Sequence, residues 1–409
     1  MKTNLPTILL ILILSAPIRA IAEAPLFDLE VLPCEHRKQT DPETGAELTF
    51  LTTHPAGDVN LYYEQRSWLA DSSAILFTSS RENGGLMAYL TATGELVRLK
   101  HPQGGYGYAT CAKSRNSFYA IRGNQVVEVD LEISPSSNPS ASPSRVRARE
   151  RVICALEGDY ARPNAYLTEN SEGACLGLGV GGRGSSNPGE EAVVISIGIR
   201  DGSIDEIARL PGAQYAGHVM FSLTNPNLLS YKSLASWTTI KDVRTKETVY
   251  DHKFVEGEFC THHCWWIDDT LTFCGGFHPQ PTEDADVKVL DFKNRVVRIL
   301  GKGNWWPEAS SEELARFNWW HAAGHENGRW VVADNWHGDI GLIHAKSTRT
   351  YILTQGHREY GRVEVTHPHV GWDRKGEQVV FASGLLGNDD VCIATIPPIW
   401  QAEWESQAP

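Results

Sequence analysis

WLADSSAILFTSSRENGGLMAYLTATGELVRL, residues 68–99, contains the pattern that decides the fold. An aromatic residue, Trp68, precedes a polar turn, and the apolar run Ala74 to Phe77 follows it. A turn rich in Asn and Gly then separates this run from a second apolar run. Short apolar runs between turn residues are typical of buried strands. The stretch therefore predicts two consecutive strands joined by a tight turn.

The same pattern recurs along the chain, so that seven copies start 43 to 61 residues apart. The six later copies begin at Cys111, Leu167, Phe221, Trp265, Glu326 and Trp372. This spacing is the length of a four-stranded propeller blade. We therefore predict an all-β, seven-bladed β-propeller. The segment 30–52 is expected to add a strand to the last blade, which would close the ring and leave no exposed sheet edge. A pair of β-sandwiches is the alternative, but no linker divides the chain suitably.

Composition supports a folded chain with many strands and excludes several classes of protein. Of the 409 residues, 41% are hydrophobic and 21% are charged, which excludes disorder and coiled coils. The 36 glycines and 21 prolines favour many turns over a few long helices. The 50 acidic residues outnumber the 37 basic residues, giving a net charge of −13. The chain therefore has no broad basic surface, and nucleic acid is not expected as a partner.

The first residues have the organisation of a signal peptide. Lys2 precedes the apolar run Leu5 to Pro17, and small residues follow at Ala20, Ala22 and Ala24. We expect residues 1–22 to be removed and residues 23–409 to form one propeller domain, exported to a periplasm or secreted. A membrane anchor is the alternative, but the run is short, and no later stretch approaches about 18 apolar residues. Membrane insertion after cleavage is therefore not expected.

Eight cysteines are compatible with an oxidising compartment. Cys260, Cys264 and Cys274 lie close to His262 and His263, which suggests a structural zinc site. However, a C-x3-C pair with one more cysteine ten residues later matches no standard zinc finger. A disulfide together with buried thiols is the favoured interpretation.

Histidines near the start of the sixth and seventh copies are candidate metal ligands. In an extended strand, residues i and i+2 point the same way, so His367 and His369 can converge on one ion. Glu364 precedes them by three residues and offers an oxygen ligand, and His321 starts the sixth copy. Equivalent positions of neighbouring blades meet around the channel of a propeller. Imidazole with carboxylate oxygen suits Mn, Zn or Fe(II), although an isolated H-x-H is more often structural.

Four segments resemble the oligogalacturonate lyases, a family of metal-dependent, seven-bladed polysaccharide lyases. EVTHPHVGWDRKGEQVVFAS (364–383) and GEFCTHHCWWIDD (257–269) are similar to the T-H-P-H and C-T-H motifs of that family. GHVMFSLTNPNLLSY (217–231) and LYYEQRSWLADSSAILFTSS (61–80) resemble further segments more loosely. The likeness covers nearly the whole mature chain in order. It implies a propeller that binds a divalent ion, usually manganese, with zinc or calcium as alternatives.

The resemblance also assigns roles to individual residues. The metal ligands of the family fall on His321, Glu364, His367 and His369, and Glu364 stands where the family has Gln. His262 matches an active-site histidine of the family, and His263 replaces the Glu that follows it. The proton-abstracting Arg of the family has no equivalent, because Trp237 occupies that position. We therefore consider His262, then Lys232 and His218, as the base, and Trp237, His263 and Trp320 as contacts to the sugar.

The expected reaction is β-elimination on an acidic oligosaccharide. A divalent ion on the carboxylate of a uronide stabilises the charge that develops when the C5 proton leaves. A base within reach of C5 completes the step. Because the chain is acidic, a short oligogalacturonate suits it better than a long polyanion. A propeller lyase for another uronide, such as ulvan fragments, and a non-catalytic periplasmic binding propeller remain alternatives, since the Arg is missing.

Overall fold

The computed structural model describes residues 24–182, 191–210, 215–277, 286–303, 308, 310, 317–357 and 367–406. Before the first blade, the chain forms four short strands: β1 (Leu26–Asp28), β2 (Glu30–Leu32), β3 (Arg37–Thr40) and β4 (Glu47–Phe50). The rest of the described chain folds into seven antiparallel sheets arranged in a ring. The chain is a seven-bladed β-propeller, as the repeats predict.

Blades one to four follow one another along the sequence, each listed here from the channel outward. Blade one contains β5 (Asp58–Asn60), β6 (Ala74–Ser79), β7 (Gly85–Leu90) and β8 (Leu96–His101), and the short β9 (Gly104–Gly105) pairs with β8. Blade two contains β10 (Gly107–Cys111), β11 (Ser117–Arg122), β12 (Gln125–Ser134) and β13 (Arg145–Ala155). Blade three contains β14 (Thr168–Glu169), β15 (Cys175–Gly181), β16 (Ala192–Gly198) and β17 (Ile204–Leu210). Blade four contains β18 (Gly217–Phe221), β19 (Leu228–Lys232), β20 (Ser236–Asp242) and β21 (Thr248–Lys253).

Blades five to seven complete the ring. Blade five contains β22 (Glu258–Trp265), β23 (Leu271–Phe277), β24 (Val287–Asp291) and β25 (Val296–Gly301). Blade six contains β26 (Trp319–Gly324), β27 (Trp330–Asn335), β28 (Ile340–His344) and β29 (Thr350–Thr354). Blade seven contains β30 (Gly371–Trp372), β31 (Gln378–Ser383) and β32 (Asp390–Thr395), after which helix α1 (Pro398–Ser406) follows. Among the described helices, none is both long and apolar enough to span a bilayer.

The N-terminal strands close the ring, as predicted from the sequence. β4 pairs with β32 in the register Phe50 opposite Cys392, and β3 adds a further strand outside β4. Blade seven is thus built from both ends of the chain. β1 covers the outer edge of β13, and β2 covers that of β8. The N-terminal segment therefore protects the outer strands of three consecutive blades from edge pairing.

Large aromatic side chains fill the spaces between the blades. Trp68, Trp265, Trp266 and Trp330 are almost completely buried. The Trp266 ring packs so closely against Gly324 of blade six that only glycine fits there, because a Cβ would lie 2.1 Å from the ring. Such close packing holds the innermost strands at fixed positions around the channel.

The innermost strands all run in the same direction along the channel. His218, His262 and His321 lie on three of these strands near one end of the channel, and residues at the other end line a cavity of about 130 Å³ to which all seven blades contribute. The channel therefore has a histidine end and a cavity end, and candidate site residues gather at the histidine end.

The eight cysteines all lie in the described part of the chain, and all are free thiols. The expected disulfide near Cys260, Cys264 and Cys274 is therefore wrong, and the expected buried thiols are correct. Burial raises the pKa of the Cys260 and Cys264 thiols, so both are protonated and apolar in character.

Candidate metal centre in the propeller channel

Three imidazoles meet at the histidine end of the channel. The ligand nitrogens of His321, His367 and His369 all lie within 4.8 Å of one another. The ring centroid of His321 is 4.7 Å from each of the other two, which are 4.3 Å apart. Imidazoles packed this closely form a ready set of ligands for a transition metal.

His321 is held by a buried carboxylate on the neighbouring strand. Its backbone N–H and its Nδ1 both donate to Asp334 of β27, at 2.9 Å and 3.0 Å. Nε2 is buried and has no hydrogen-bond partner among the described residues. Burial, followed by the nearby His367, holds the pKa of His321 well below its usual value, so the ring is neutral. A fixed neutral imidazole with an orphaned nitrogen is the arrangement that a metal ligand requires.

The same carboxylate fixes His369. The backbone N–H of His369 donates to Asp334 Oδ2 at 2.7 Å, and its carbonyl accepts from the Asn60 side chain. His369 has a φ of +52°, a left-handed conformation that is uncommon outside glycine, although histidine adopts it more often than most residues. Residues 367–370 are therefore not the regular extended strand that the sequence suggested, because the strand β30 begins only at Gly371. The two imidazoles converge through this left-handed turn and not through strand alternation.

The residues present fit a divalent ion. The imidazoles of His321, His367 and His369 form a set of nitrogen donors that suits Zn or Fe(II), and an added carboxylate oxygen would extend the set to Mn. The orphaned Nε2 of His321 and the orienting Asp334 are what such a site requires. Glu364, the predicted oxygen ligand, lies outside the described residues.

His262 borders this cluster. Its ring centroid is 4.1 Å from that of His321, and its Nδ1 donates to the carbonyl of Trp320 at 3.0 Å. Burial and the neighbouring His321 hold its pKa well below the usual value. Like His369, it has a positive φ, here +53°. His262 is therefore a neutral imidazole held at the edge of the cluster.

His218 is paired with a carboxylate that no sequence pattern indicated. Glu64 Oε1 accepts from His218 Nδ1, and the Glu64 side chain is only 2% exposed. Tyr63 also lies beside this nitrogen, with its hydroxyl 3.3 Å away. The described hydrogen bonds of His218 all involve Nδ1, so Nε2 is the nitrogen available to a substrate. The centroid of the His218 ring is 5.5 Å from that of His262.

Lys232, Trp237 and His263 lie in a second space behind His262. They line a small cavity of about 30 Å³ together with His262. The Lys232 ammonium is 4.5 Å from the Trp237 ring, and burial lowers the pKa of Lys232. His263 donates or accepts at Thr238 Oγ1, 2.7 Å away, and is 6% exposed. These three residues are therefore adjacent to the histidine cluster but are not part of it.

Of the predicted tryptophan contacts, Trp320 faces the channel. Its ring is 5.1 Å from that of His262 and 6.4 Å from that of His367. Its neighbour Trp319 is 2% exposed and packs between blades, as strand alternation requires.

Sequence reasoning missed several residues of the site. Tyr62 lies 4.7 Å from the His369 ring, and Trp336 lies 4.4 Å from the His367 ring. Asp334 and Glu64 are the two carboxylates that orient the histidines. The one available signal was position relative to the repeated pattern. Tyr62 and Glu64 lie a few residues before the first copy, just as His218 lies a few residues before the fourth.

Comparisons with known proteins find similarity in structure and not in sequence. No protein-family model matches the chain, and no curated protein does. A solved oligogalacturonate lyase in complex with manganese superposes with a TM-score of 0.70 at 17% identity, over 93% of this chain and 100% of that chain. The oligogalacturonate lyase of Vibrio parahaemolyticus gives a TM-score of 0.67 at 15% identity, over the same shares. The WD40 domain of Neurospora crassa Pan2 gives only 0.51 at 12% identity, over 88% of this chain and 98% of that domain. The chain thus has the propeller fold of the solved oligogalacturonate lyases.

Proposed function

We propose that this protein is an exported, metal-dependent lyase that cleaves short uronate-containing oligosaccharides by β-elimination, with oligogalacturonate as the simplest substrate. The observation that carries the proposal is the convergence of His321, His367 and His369 beside a separate histidine–carboxylate pair. An electrophilic ion site next to a proton acceptor is what this reaction needs. The likeness to a solved oligogalacturonate lyase in complex with manganese supports the same reaction class.

The imidazoles of His321, His367 and His369, with Glu364 as a proposed fourth ligand, would hold the ion, and Asp334 would orient two of them. When bound, a divalent cation supplies Lewis-acid stabilisation to the uronate carboxylate as charge develops on it. Imidazoles that bind a metal do so in their neutral form and leave the positive charge of the ion unchanged, whereas the Glu364 carboxylate would lower it by one. His262, a neutral neighbour of His321, donates through Nδ1 to the Trp320 carbonyl, so its Nε2 is placed to accept a hydrogen bond from a hydroxyl of the sugar.

We assign the proton-abstracting role to His218. Its Nδ1–H donates to Glu64, so Nε2 carries the lone pair that accepts the C5 proton. The buried carboxylate then stabilises the imidazolium, as in the histidine–aspartate pairs of hydrolases. The C4 oxygen leaves with its bonding electrons and takes up a proton, which leaves a C4–C5 double bond. Proton transfer of this kind contributes about 10²–10⁴-fold to a rate.

The other candidate bases fit less well. The lowered pKa of His262 makes it a poor proton acceptor, and the neutral Trp320 carbonyl that accepts from its Nδ1 stabilises an imidazolium less than the Glu64 carboxylate does beside His218. Lys232 faces the small cavity behind His262 and the Trp237 ring. We propose Trp320, which faces the channel, as a contact to the sugar. Trp237 and His263 would support His262 from behind.

The test is ultraviolet absorbance of an unsaturated product, measured over a panel of uronides with and without chelator. Product from oligogalacturonate that disappears with chelator and returns with Mn²⁺ supports the proposal. Product from another uronide alone, such as ulvan fragments, would change the substrate but keep the reaction. If the metal-loaded protein gives no product from any uronide, the remaining interpretation is a binding propeller. The tryptophan at position 237 favours that alternative.

A further inference from the structure

The histidine end of the channel is asymmetric. Its histidines come from blades four to seven, whereas blades one to three contribute tyrosines: Tyr62, Tyr108 and Tyr166. Tyr62 and Tyr166 are stacked, with centroids 5.4 Å apart and planes 25° apart. Tyr108 lies 6.1 Å from Tyr166. Because Tyr62 is also 4.7 Å from His369, the three rings form a continuous row that begins at the metal ligands.

The outer part of this row is exposed to solvent. Tyr108 is 39% exposed and Tyr166 is 40% exposed, whereas most other large aromatic side chains in the described chain are buried. Tyr108 and Tyr166 thus extend the candidate active site as two exposed aromatic rings. Such exposure is unusual for a surface that binds no ligand, because burial in the core would be more favourable.

The backbone at Tyr108 repeats that of the site histidines. Tyr108 is the second residue of β10 and has a φ of +56°, and His218 is the second residue of β18 and has a φ of +51°. Both positions lie at β-bulges, between Gly107 and Thr110 and between Gly217 and Met220. A positive φ at an aromatic residue is a costly outlier that persists mainly at functional sites. The same bulge therefore aims Tyr108 in blade two and His218 in blade four.

We propose that Tyr62, Tyr166 and Tyr108 form a stacking platform for the sugar units beyond the one whose carboxylate is held at the metal site. This inference rests on the proposed function and extends it by naming the direction in which the bound oligosaccharide lies, over blades one to three. The C–H face of a pyranose packs on an aromatic ring without needing a cation. The platform thus gives an acidic protein a means to bind a polyanionic chain through dispersion and not through charge.

The experiment compares kcat/KM for di- and trigalacturonate in the Mn²⁺-loaded wild type and in Y108A and Y166A. Each alanine variant should lower the value for the trisaccharide about tenfold, as expected for loss of one stacking contact, and change the disaccharide value less than twofold. Y108F and Y166F keep the ring and should lose far less of the trisaccharide value than the alanine variants. Bound metal, measured on each variant by elemental analysis, should be unchanged.

Two results overturn the proposal in distinguishable ways. If the wild type cleaves both substrates but the alanine variants affect them equally or not at all, the platform is wrong while the lyase function stands. If the metal-loaded wild type cleaves neither substrate, the proposed function fails, and the platform for uronide chains fails with it.

Discussion

Asp334 accepts three hydrogen bonds from two residues of the histidine cluster: the backbone N–H and Nδ1 of His321 and the backbone N–H of His369. It thereby joins blade six to blade seven beside His321 and His369. Burial raises the pKa of Asp334, while the bonds from these backbone amides act in the opposite direction. A buried carboxylate with this many donors fixes both the tautomer and the position of the ligands.

D334N should therefore weaken metal binding without removing a ligand. We expect a 10- to 100-fold loss of affinity for Mn²⁺, which is typical when the partner of a ligating histidine is changed. Titration calorimetry measures the affinity, and circular dichroism checks the fold. D205N, at an exposed position on β17, is the matched control. Equal affinities in D334N and D205N would show that Asp334 does not orient the ligands.

Replacing Glu64 tests the proposed base pair. E64Q removes the charge that stabilises the His218 imidazolium, so kcat should fall about 10- to 100-fold with KM and bound metal little changed. H218A should lose more activity, again with its metal retained. E326Q changes a carboxylate at the cavity end of the channel and serves as the control. An E64Q enzyme with wild-type kcat would remove His218–Glu64 from the mechanism.

The fold was predictable because it repeats. Copies that begin at Trp68 and six later positions predict seven blades, since one pattern of turns and apolar runs recurs at blade length. Ring closure by β4 followed from the need to cover the edge of the last blade. The convergence of His321 with His367 and His369 was predictable for the same reason, because equivalent positions of neighbouring blades meet at the channel.

The orienting carboxylates were not predictable. Asp334 lies inside an ordinary buried strand, and Glu64 contacts His218 across 154 positions of sequence, so neither contact leaves a local pattern. The positive φ of Tyr108, His218, His262 and His369 also has no signature, because a strained backbone is imposed by tertiary packing. The expected disulfide failed because spacing in sequence does not determine which thiols lie within bonding distance.

Arg374 connects blade seven to blades one and two. Its guanidinium donates to the carbonyls of Trp68, Leu69, Ala112 and Lys113. R374M removes these charged hydrogen bonds and leaves buried carbonyls unsatisfied, so the free energy of unfolding should fall by about 3 kcal/mol. K375M alters the exposed neighbouring residue and should change stability little. Denaturant unfolding of both variants measures the difference, and equal stabilities would contradict the proposed connection.

His357 should make stability depend on pH. Burial lowers its pKa to about 4, and its two nitrogens are bonded to Thr354 and Ser383. The unfolded chain takes up this proton near pH 6.5 and the folded chain only near pH 4, so stability is lost as the pH falls through that window. The slope is about 1.4 kcal/mol per pH unit for this group.

The measurement is urea unfolding at several pH values between 7 and 4, with chelator present so that metal release does not contribute. H357Q should remove about 1.4 kcal/mol per pH unit from the slope of the wild type. If the slopes of the two proteins coincide, His357 is protonated equally in the folded and unfolded states.

The most direct test of the account is the metal content of the wild type and of H367A, purified in parallel and exposed to Mn²⁺. Elemental analysis should find one ion per wild-type chain and essentially none in H367A, which should also give no unsaturated uronide. H218A should keep its ion and lose only the reaction. A wild type without bound metal, or an H367A variant that retains the full amount, would contradict the assignment of His321, His367 and His369 as the ligands.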